Sequence, residues 1–374
     1  MAKDHFVPQH YLRQFRVNGS EFILVANISP YRFIGAKAIS GQCQEDGFEE
    51  GNKALGKLLW TSENDLAPVL LRVSQKKDFT EPELLGLRWL VATLHLRTKK
   101  AAEAYEVFPK RIFLEVIRNA IDSGRLSPPP EGELKEELVD CKGVTGFLLR
   151  NVISCALEMQ TLACKLLNAQ PGTFFITSDN PVLILNQFCD RVETHRGFAG
   201  FGRSGFQAIL PISSQLCLFF YDPQVYKVGS RRRRLIEVSK TDVEIINALQ
   251  VQSADKRLLF HEPKLEKEVE RLISYNGTLR SPVGDFLRTI PGKNQGDELL
   301  YFRAPSVKLP KIWDFCRLRR HIKCVIGERR DPAWSALIED LYKDFEQNPV
   351  PQDIHSRLAK IIADQNSLKN IRRF

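Results

Sequence analysis

The first seventeen residues constrain the fold of this chain more than any other segment. Residues 5–17 read HFVPQHYLRQFRV and place two histidines and two glutamines among aromatic and aliphatic side chains. Chain termini are normally the least ordered part of a domain unless contacts hold them. A segment this rich in apolar side chains is instead expected to pack on the core, with its polar side chains turned inward. The sequence therefore predicts a polar site where this segment docks.

The composition indicates an ordinary globular protein with a sizeable core. The chain has 374 residues, of which 43% are hydrophobic and 26% are charged, so one large domain or two ordinary ones are expected. It contains no run of about 18 apolar residues, and its first residues lack the apolar stretch of a secretory signal. We therefore expect a cytoplasmic protein with no membrane partner. Its eight cysteines form no Cys-x-x-Cys pair, which argues against a zinc ribbon.

The hydrophobic pattern predicts an α+β fold that is mainly helical, with a small mixed or antiparallel sheet. The apolar and β-branched runs at 22–28 and 32–39 are typical of strands. Thr80 and Glu83 form a capping-box motif at the start of an apolar helical segment. A long buried helix is expected over about 143–169, and several short strands follow it.

The sequence suggests two parts. Residues 1–265 are predicted to form an α+β core domain that carries the motifs, and residues 266–374 a mostly helical extension. The extension contains two amphipathic patterns, at 332–345 and 353–364.

A cluster of polar residues interrupts an apolar run in the middle of the chain. Residues 177–181 read TSDNP and lie between two strand-like segments. The simpler interpretation is a tight turn, because Asp and Asn side chains stabilise turns and Pro restricts the backbone. In the alternative, Asp179 stands beside a cleft, where its carboxylate could bind a metal ion or accept a proton.

The net charge of +9 indicates a bias toward anionic partners. Its sharpest concentration is the run Arg231, Arg232, Arg233 and Arg234. Such a run favours nucleic acid, mostly through contacts that do not depend on base sequence. The alternative is a solvated loop that only aids solubility.

Several nucleotide and hydrolase motifs are absent. The chain has no Gly-x-x-x-x-Gly-Lys-Ser/Thr loop and no Gly-x-Gly-x-x-Gly after a strand. It also has no His-Glu-x-x-His and no Gly-x-Ser-x-Gly. A nucleotide-hydrolysing motor and a serine hydrolase are therefore disfavoured.

The motifs together resemble a large bacterial family known only as domain of unknown function 4238. The resemblance begins with His5-x-Val7-Pro8-Gln9-x-Tyr11-Leu12-x-x-Phe15 and covers about residues 3–265. It continues through residues 66–70, 94–98, 175–182 and 210–213, and the Asn247-x-x-Gln250 segment. No chemistry is established for this family. The resemblance implies a single-gene component of bacterial antiviral defence.

The leading hypothesis is a protein of phage defence that acts on nucleic acid or nucleotides, as a nuclease dependent on Mg²⁺ or Mn²⁺. His5 would act as general base or orient the attacking water, while Asp179 and Glu63 would hold the metal ion. The remaining candidates are Gln9 and Asn180, which would position the substrate, and Arg97, which would stabilise developing phosphate charge.

Two other hypotheses remain open. In the first, the protein is a non-catalytic sensor that binds nucleic acid or a phage protein through residues 231–234 and a basic C-terminus. In the second, the polar motifs form only a hydrogen-bond network that locks the N-terminal segment onto the sheet.

Overall fold

The computed structural model describes residues 3–46, 53–103, 121, 124, 144–191, 200–230, 232–280, 287–291, 298–302 and 313–347. Seven α-helices lie in these ranges: α1 (Gln9–Leu12), α2 (Lys53–Lys76), α3 (Glu81–Leu96), α4 (Val144–Glu158), α5 (Lys240–Ser253), α6 (Glu266–Asn276) and α7 (Pro332–Gln347). The capping box predicted at Thr80 and Glu83 is confirmed at the start of α3.

The described residues also contain fifteen strands. They are β1 (Lys3–His5), β2 (Phe22–Asn27), β3 (Arg32–Ala38), β4 (Gln44–Asp46), β5 (Ala163–Ala169), β6 (Thr177–Ser178), β7 (Leu183–Leu185), β8 (Gln207–Pro211), β9 (Leu216–Tyr221), β10 (Tyr226–Val228), β11 (Leu235–Val238), β12 (Arg257–Phe260), β13 (Leu287–Pro291), β14 (Glu298–Phe302) and β15 (Cys316–Leu318). A five-stranded sheet has the order β11-β5-β9-β8-β7, and a four-stranded sheet has the order β3-β2-β12-β6. The other strands pair as β1-β4, β10-β15 and β13-β14.

The α+β class is confirmed, but the prediction of a mainly helical fold with one small sheet is wrong. Two larger sheets organise the core, and only the pairing of β11 with β5 is parallel among the described strands. Most of the strands are three to seven residues long and pair with segments far away in the chain. Such pairing leaves little trace in local periodicity, whereas long helices leave a strong one.

The predicted helix over 143–169 is wrong in its second half. Helix α4 ends at Glu158, and Ala163–Ala169 forms strand β5 next to the edge strand of the five-stranded sheet. Leu166 belongs to one apolar cluster, and Leu167 belongs to another on the opposite face of the sheet. A strand buried on both faces reads as a continuous apolar run, which sequence periodicity cannot distinguish from a buried helix.

The N-terminal segment is held in the core, as its composition predicts. Strand β1 pairs with β4, and the Phe6 N–H donates to the carbonyl of Cys43 at 2.9 Å. Tyr11, Leu12 and Phe15 have no exposed surface. The Tyr11 hydroxyl lies 2.7 Å from the Thr177 hydroxyl and donates to the carbonyl of Pro211, also at 2.7 Å. These contacts attach the segment to both large sheets.

Internal contacts divide the chain into two units, Met1–Arg330 and Asp331–Phe374. The first unit contains both large sheets, and the described part of the second is α7. The predicted boundary after residue 265 stays a prediction, and the amphipathic pattern at 353–364 lies outside the described residues. No helix in the described part of the chain combines the length and the apolar character needed to cross a bilayer.

Candidate functional site

The acidic turn, residues 177–181, lies where β6 ends beside β12. The Asp179 carboxylate accepts three backbone N–H groups, two from the segment that joins α5 to β12 and one from the first residue of β12. Asp255 donates to Oδ1 at 2.8 Å, while Lys256 and Arg257 donate to Oδ2 at 2.8 and 2.9 Å. The side chain is only 4% exposed. Asp179 therefore clamps the α5–β12 connection to the end of β6.

The environment of Asp179 suits a clamp better than a metal ligand. Burial raises the pKa of this carboxyl to about 6, although the three N–H donors act in the opposite direction. A carboxylate offers about four acceptor positions, and three of them are used. The described residues contain no group of three or more His, Cys, Asp or Glu side chains that could hold a metal ion. The proposed Mg²⁺ or Mn²⁺ ion therefore fits poorly here, and its role at Asp179 stays a prediction.

Asn180, the next residue in the chain, adds further contacts to this clamp. Its side-chain amide donates to the carbonyl and to the hydroxyl of Ser253, both at 2.9 Å. Its side-chain oxygen accepts the Thr98 hydroxyl at 2.9 Å. Asn180 therefore joins the acidic turn to the C-terminal ends of α3 and α5.

Two buried amides of α5 hold the same turn from the side. Asn247 accepts the Ile176 N–H at 3.0 Å and donates to the carbonyl of Phe174 at 2.9 Å. Gln250 accepts the Ser178 hydroxyl and donates to the carbonyl of Pro181, both at 2.7 Å. The polar residues that stand out in the sequence of this helix thus satisfy polar groups of the turn and of the residues just before it.

Of the other predicted site residues, the structure brings His5 and Gln9 together. The Nε2 atom of His5 donates to the carbonyl of Ser40 at 3.1 Å and lies 3.3 Å from Nε2 of Gln9. Arg97 is buried at the end of α3, and its charge assists burial in lowering the pKa of His10 to about 4. Glu63 lies in α2, but its side chain is outside the described residues. The catalytic roles of these residues stay predictions.

A small cavity lies beside the clamp. It has a volume of about 200 Å³ and is lined by Phe6, Cys43, Gln44, Glu45, Lys99, Asp179, Asp255, Lys256 and Arg257. Among the predicted site residues with described surroundings, only Asp179 contributes to its wall. Ligand pockets usually measure about 300–1,000 Å³, so this cavity is smaller than a usual nucleotide pocket. Phe6 of the N-terminal segment and Asp179 of the acidic turn thus line the same small cavity.

A larger cleft lies at the edge of the five-stranded sheet, and we call it the arginine cleft. It has a volume of about 910 Å³ and is lined by Lys77, Asp78, Gly229, Ser230, Arg232, Arg233, Arg234, Leu235, Ile236 and Glu237. The loop between β10 and β11 forms one wall, and the residues that follow α2 contribute to another. Four of these side chains are positively charged and two are negatively charged, so the cleft favours anions.

A buried lysine contacts the backbone of the arginine loop, the segment 229–234, of which residues 229–230 and 232–234 are described. Lys165 projects from β5, is 4% exposed, and donates to the carbonyl of Ser230 at 2.8 Å and to the carbonyl of Arg233. Burial lowers the pKa of Lys165, because desolvation disfavours the charged form. Placing an ammonium group in the interior is costly, and a loop that only aids solubility would not need this contact. The loop is therefore built to hold a defined conformation.

The arginines of the loop have different surroundings. Arg234 is bound to the protein itself: it donates to the carbonyl of Phe79, lies over the Phe79 ring at 4.7 Å and pairs with Glu81 at 2.9 Å. Arg232 and Arg233 are exposed, and their guanidinium groups have no hydrogen bond or ion pair within the described residues. Arg231 lies outside the described residues. The cleft thus presents two guanidinium groups that are available to a ligand.

Replacing Lys165 with methionine is expected to release the arginine loop. Loss of the two carbonyl contacts should accelerate amide hydrogen exchange at residues 229–234 by about tenfold or more, because a hydrogen bond from a charged donor is worth roughly 1.5–3 kcal/mol. Hydrogen-exchange mass spectrometry measures this. Lys227→Met, an exposed lysine of the neighbouring strand β10, serves as the control. Unchanged exchange in Lys165→Met would show that the loop does not depend on this contact.

Sequence reasoning missed the residues that shape the arginine cleft. Lys77, Lys165, Asn168 and Glu237 each lie beside it, and none of them belongs to a motif. One signal was available, since Lys165 stands in an apolar run and a buried lysine needs a partner. The other three come together only because β11 pairs with β5.

The fold and the cleft define an α+β protein with a candidate anion-binding site. The chain belongs to the family of proteins of unknown function DUF4238, whose family model matches residues 3–264. This match confirms the family resemblance carried by the sequence motifs. No curated protein and no solved structure shows significant similarity to the chain.

Proposed function

We propose that this protein binds nucleic acid at the arginine cleft, through contacts to the phosphate backbone. One observation carries the proposal: Arg232 and Arg233 present unpaired guanidinium groups on a loop whose backbone is fixed by Lys165. Guanidinium groups bind phosphate oxygens in a bidentate manner, and a fixed loop loses little entropy on binding. The net charge of +9 would assist the encounter.

The lining of the cleft favours recognition of the backbone over recognition of the bases. Small-molecule pockets are mostly apolar, whereas charged and polar side chains dominate here. None of the described residues that line the cleft is aromatic, so no ring is available there for base stacking. A polymer with regularly repeated phosphate groups is the partner that best matches two neighbouring arginines.

Binding should depend on the two unpaired arginines. We expect the double variant Arg232→Gln, Arg233→Gln to bind labelled single-stranded RNA at least about tenfold more weakly, since each tenfold change corresponds to about 1.4 kcal/mol. The slope of log affinity against log salt concentration should become less steep by about 1–2, because two phosphate contacts are lost. Fluorescence anisotropy measured over a salt series gives both quantities.

A charge-matched variant controls for the loss of net charge. Arg16 and Arg32 are exposed and lie outside the cleft lining. Arg16→Gln, Arg32→Gln should reduce affinity only slightly. Equal losses in the two double variants would mean that net charge, and not the cleft, drives binding. If the protein bound mononucleotides but no oligonucleotide, the ligand of the cleft would be a small phosphorylated molecule and not nucleic acid.

Nuclease activity and a role in antiviral defence stay predictions from the sequence. The same labelled RNA, incubated with the protein and Mg²⁺ or Mn²⁺, tests cleavage directly. Metal-dependent cleavage would favour the enzymatic hypothesis, and binding without cleavage would favour the sensor hypothesis. The contacts of Asp179 favour the sensor hypothesis, because its carboxylate is occupied by backbone N–H groups.

A further inference from the structure

Glu237 is an exposed carboxylate in the wall of a cleft that otherwise favours anions. It lies on β11, directly opposite Asn168 of β5 in the parallel pairing. A carboxylate repels phosphate, so its presence in the same cleft lining as Arg232 and Arg233 weakens a site that binds phosphate alone. The arrangement suits a ligand that carries a hydrogen-bond donor close to its phosphate groups.

Asn168 holds this carboxylate in one orientation. The side-chain amide nitrogen of Asn168 donates to both Glu237 oxygens, at 2.7 and 2.8 Å. Its side-chain oxygen accepts the Lys77 ammonium group at 2.8 Å. Because an ammonium group can only donate, Lys77 fixes which end of the amide faces Glu237. Asn168 is largely buried, whereas an exposed glutamate would otherwise sample several rotamers.

We infer that the arginine cleft selects RNA over DNA, with Glu237 accepting a hydrogen bond from a ribose 2′-hydroxyl. This inference rests on the proposed function. The 2′-hydroxyl is the group that distinguishes RNA from DNA, and acidic side chains accept ribose hydroxyls in other nucleotide sites. A carboxylate has acceptor positions left after two contacts from one amide nitrogen. The phosphates would be held by Arg232 and Arg233.

Oligonucleotides that differ only at the 2′ position test the inference. Oligouridine and oligodeoxyuridine of equal length carry the same base, and the 2′-O-methyl form keeps the oxygen but loses the donor. We expect the wild-type protein to bind oligouridine about tenfold more tightly than either of the other two. Anisotropy titrations at one salt concentration measure the ratio.

Variants show whether Glu237 causes the difference between RNA and DNA affinity. Glu237→Ala should bring the RNA-to-DNA ratio close to one, and it should not weaken binding of DNA, because a repulsive charge is removed. Glu270→Ala, an exposed glutamate of α6, is the matched control and should keep the wild-type ratio. Lys77→Gln should lower the ratio partially, because Lys77 orients Asn168, and it should also weaken binding of both RNA and DNA, because Lys77 is one of the positive side chains that line the cleft.

The outcomes separate this inference from the proposed function. Equal binding of RNA and DNA by the wild type, with both weakened in Arg232→Gln, Arg233→Gln, would overturn the RNA preference and leave the cleft as a nucleic-acid site. A wild-type ratio that survives in Glu237→Ala would also overturn it. No binding of any oligonucleotide, or binding insensitive to the two arginines, would overturn the proposed function itself.

Discussion

Replacement of Asp179 by alanine is expected to lower the free energy of unfolding by about 3–5 kcal/mol at pH 7. Three backbone N–H groups, of residues 255–257, would lose their acceptor, and a buried donor left without a partner costs about 1–3 kcal/mol. The costs of neighbouring unpaired donors are not additive, so the expected loss of stability is smaller than three times the largest single cost. Urea denaturation followed by circular dichroism measures the change.

Asp65→Ala provides the control for this prediction. Asp65 is exposed on α2, and its replacement should change the free energy of unfolding by less than about 0.5 kcal/mol. If Asp179→Ala remains as stable as the wild type, Asp179 is not the clamp that its contacts indicate. A stable Asp179→Ala variant that had lost metal-dependent cleavage of RNA would support the nuclease hypothesis.

The contribution of Asp179 should also depend on pH. Burial raises its pKa from the usual 3.8 to about 6, so the folded state binds more protons than the unfolded state between these values. The stability contributed by the raised pKa is therefore largest at about pH 4 and declines as the pH rises to about 6. The difference in free energy of unfolding between wild type and Asp179→Ala should decrease over this interval, by an amount on the order of 2–3 kcal/mol. A difference that grows with pH would mean that the three N–H donors outweigh burial.

Replacement of Tyr11 by alanine is expected to destabilise the fold by about 3–5 kcal/mol. Tyr11 is fully buried, and removal of a large buried side chain leaves a cavity in addition to the lost transfer energy. Its hydroxyl also contacts Thr177 and Pro211. Tyr11→Phe should isolate the hydroxyl contribution, at about 1–2 kcal/mol. Denaturant unfolding of both variants separates the two terms.

Tyr275 is the matched control for Tyr11, because its side chain is 74% exposed. Tyr275→Ala should leave the free energy of unfolding within about 0.5 kcal/mol of wild type. A loss below about 1 kcal/mol in Tyr11→Ala would contradict a cooperative role for the N-terminal segment. A loss of the expected size in Tyr11→Ala, with RNA binding retained below the lowered melting temperature, would support the hypothesis that the motif is a structural network.

The parts of the fold that depend on neighbouring residues could be predicted from the sequence. The capping box at Thr80 and the strands near 22–28 and 32–39 each follow from chemistry within a few residues. The burial of the N-terminal segment also follows, because exposure of its apolar side chains to water is unfavourable. The family resemblance rests on the same local motifs.

The sheet architecture could not be predicted in the same way. Strand β5 pairs with β9 and β11, which lie roughly fifty to seventy residues further along the chain. Its burial on both faces removes the alternation by which strands are recognised. The short strands β6 and β7 are likewise set by their partners, because three residues or fewer carry no clear period.

The candidate site shows the same division. The unusual polarity of residues 177–181 predicted either a turn or a reactive carboxylate, and the contacts of Asp179 favour the turn. The sequence showed the arginine run through its charge. It did not show which groups bind Arg234 and leave Arg232 and Arg233 available to a ligand. Lys165 and Glu237 acquire their roles only through the pairing of β5 with β11.

The residue types alone predicted that the apolar side chains of the N-terminal segment are buried, that the chain is α+β, that it belongs to its family and that positive charge is concentrated at 231–234. The size of the sheets, the structural contacts of Asp179 and the cleft lined by Arg232 and Arg233 could be seen only in the folded chain. Capping, burial and charge depend on the residues themselves, whereas a clamp or a cleft depends on which distant segments hydrogen-bond to one another.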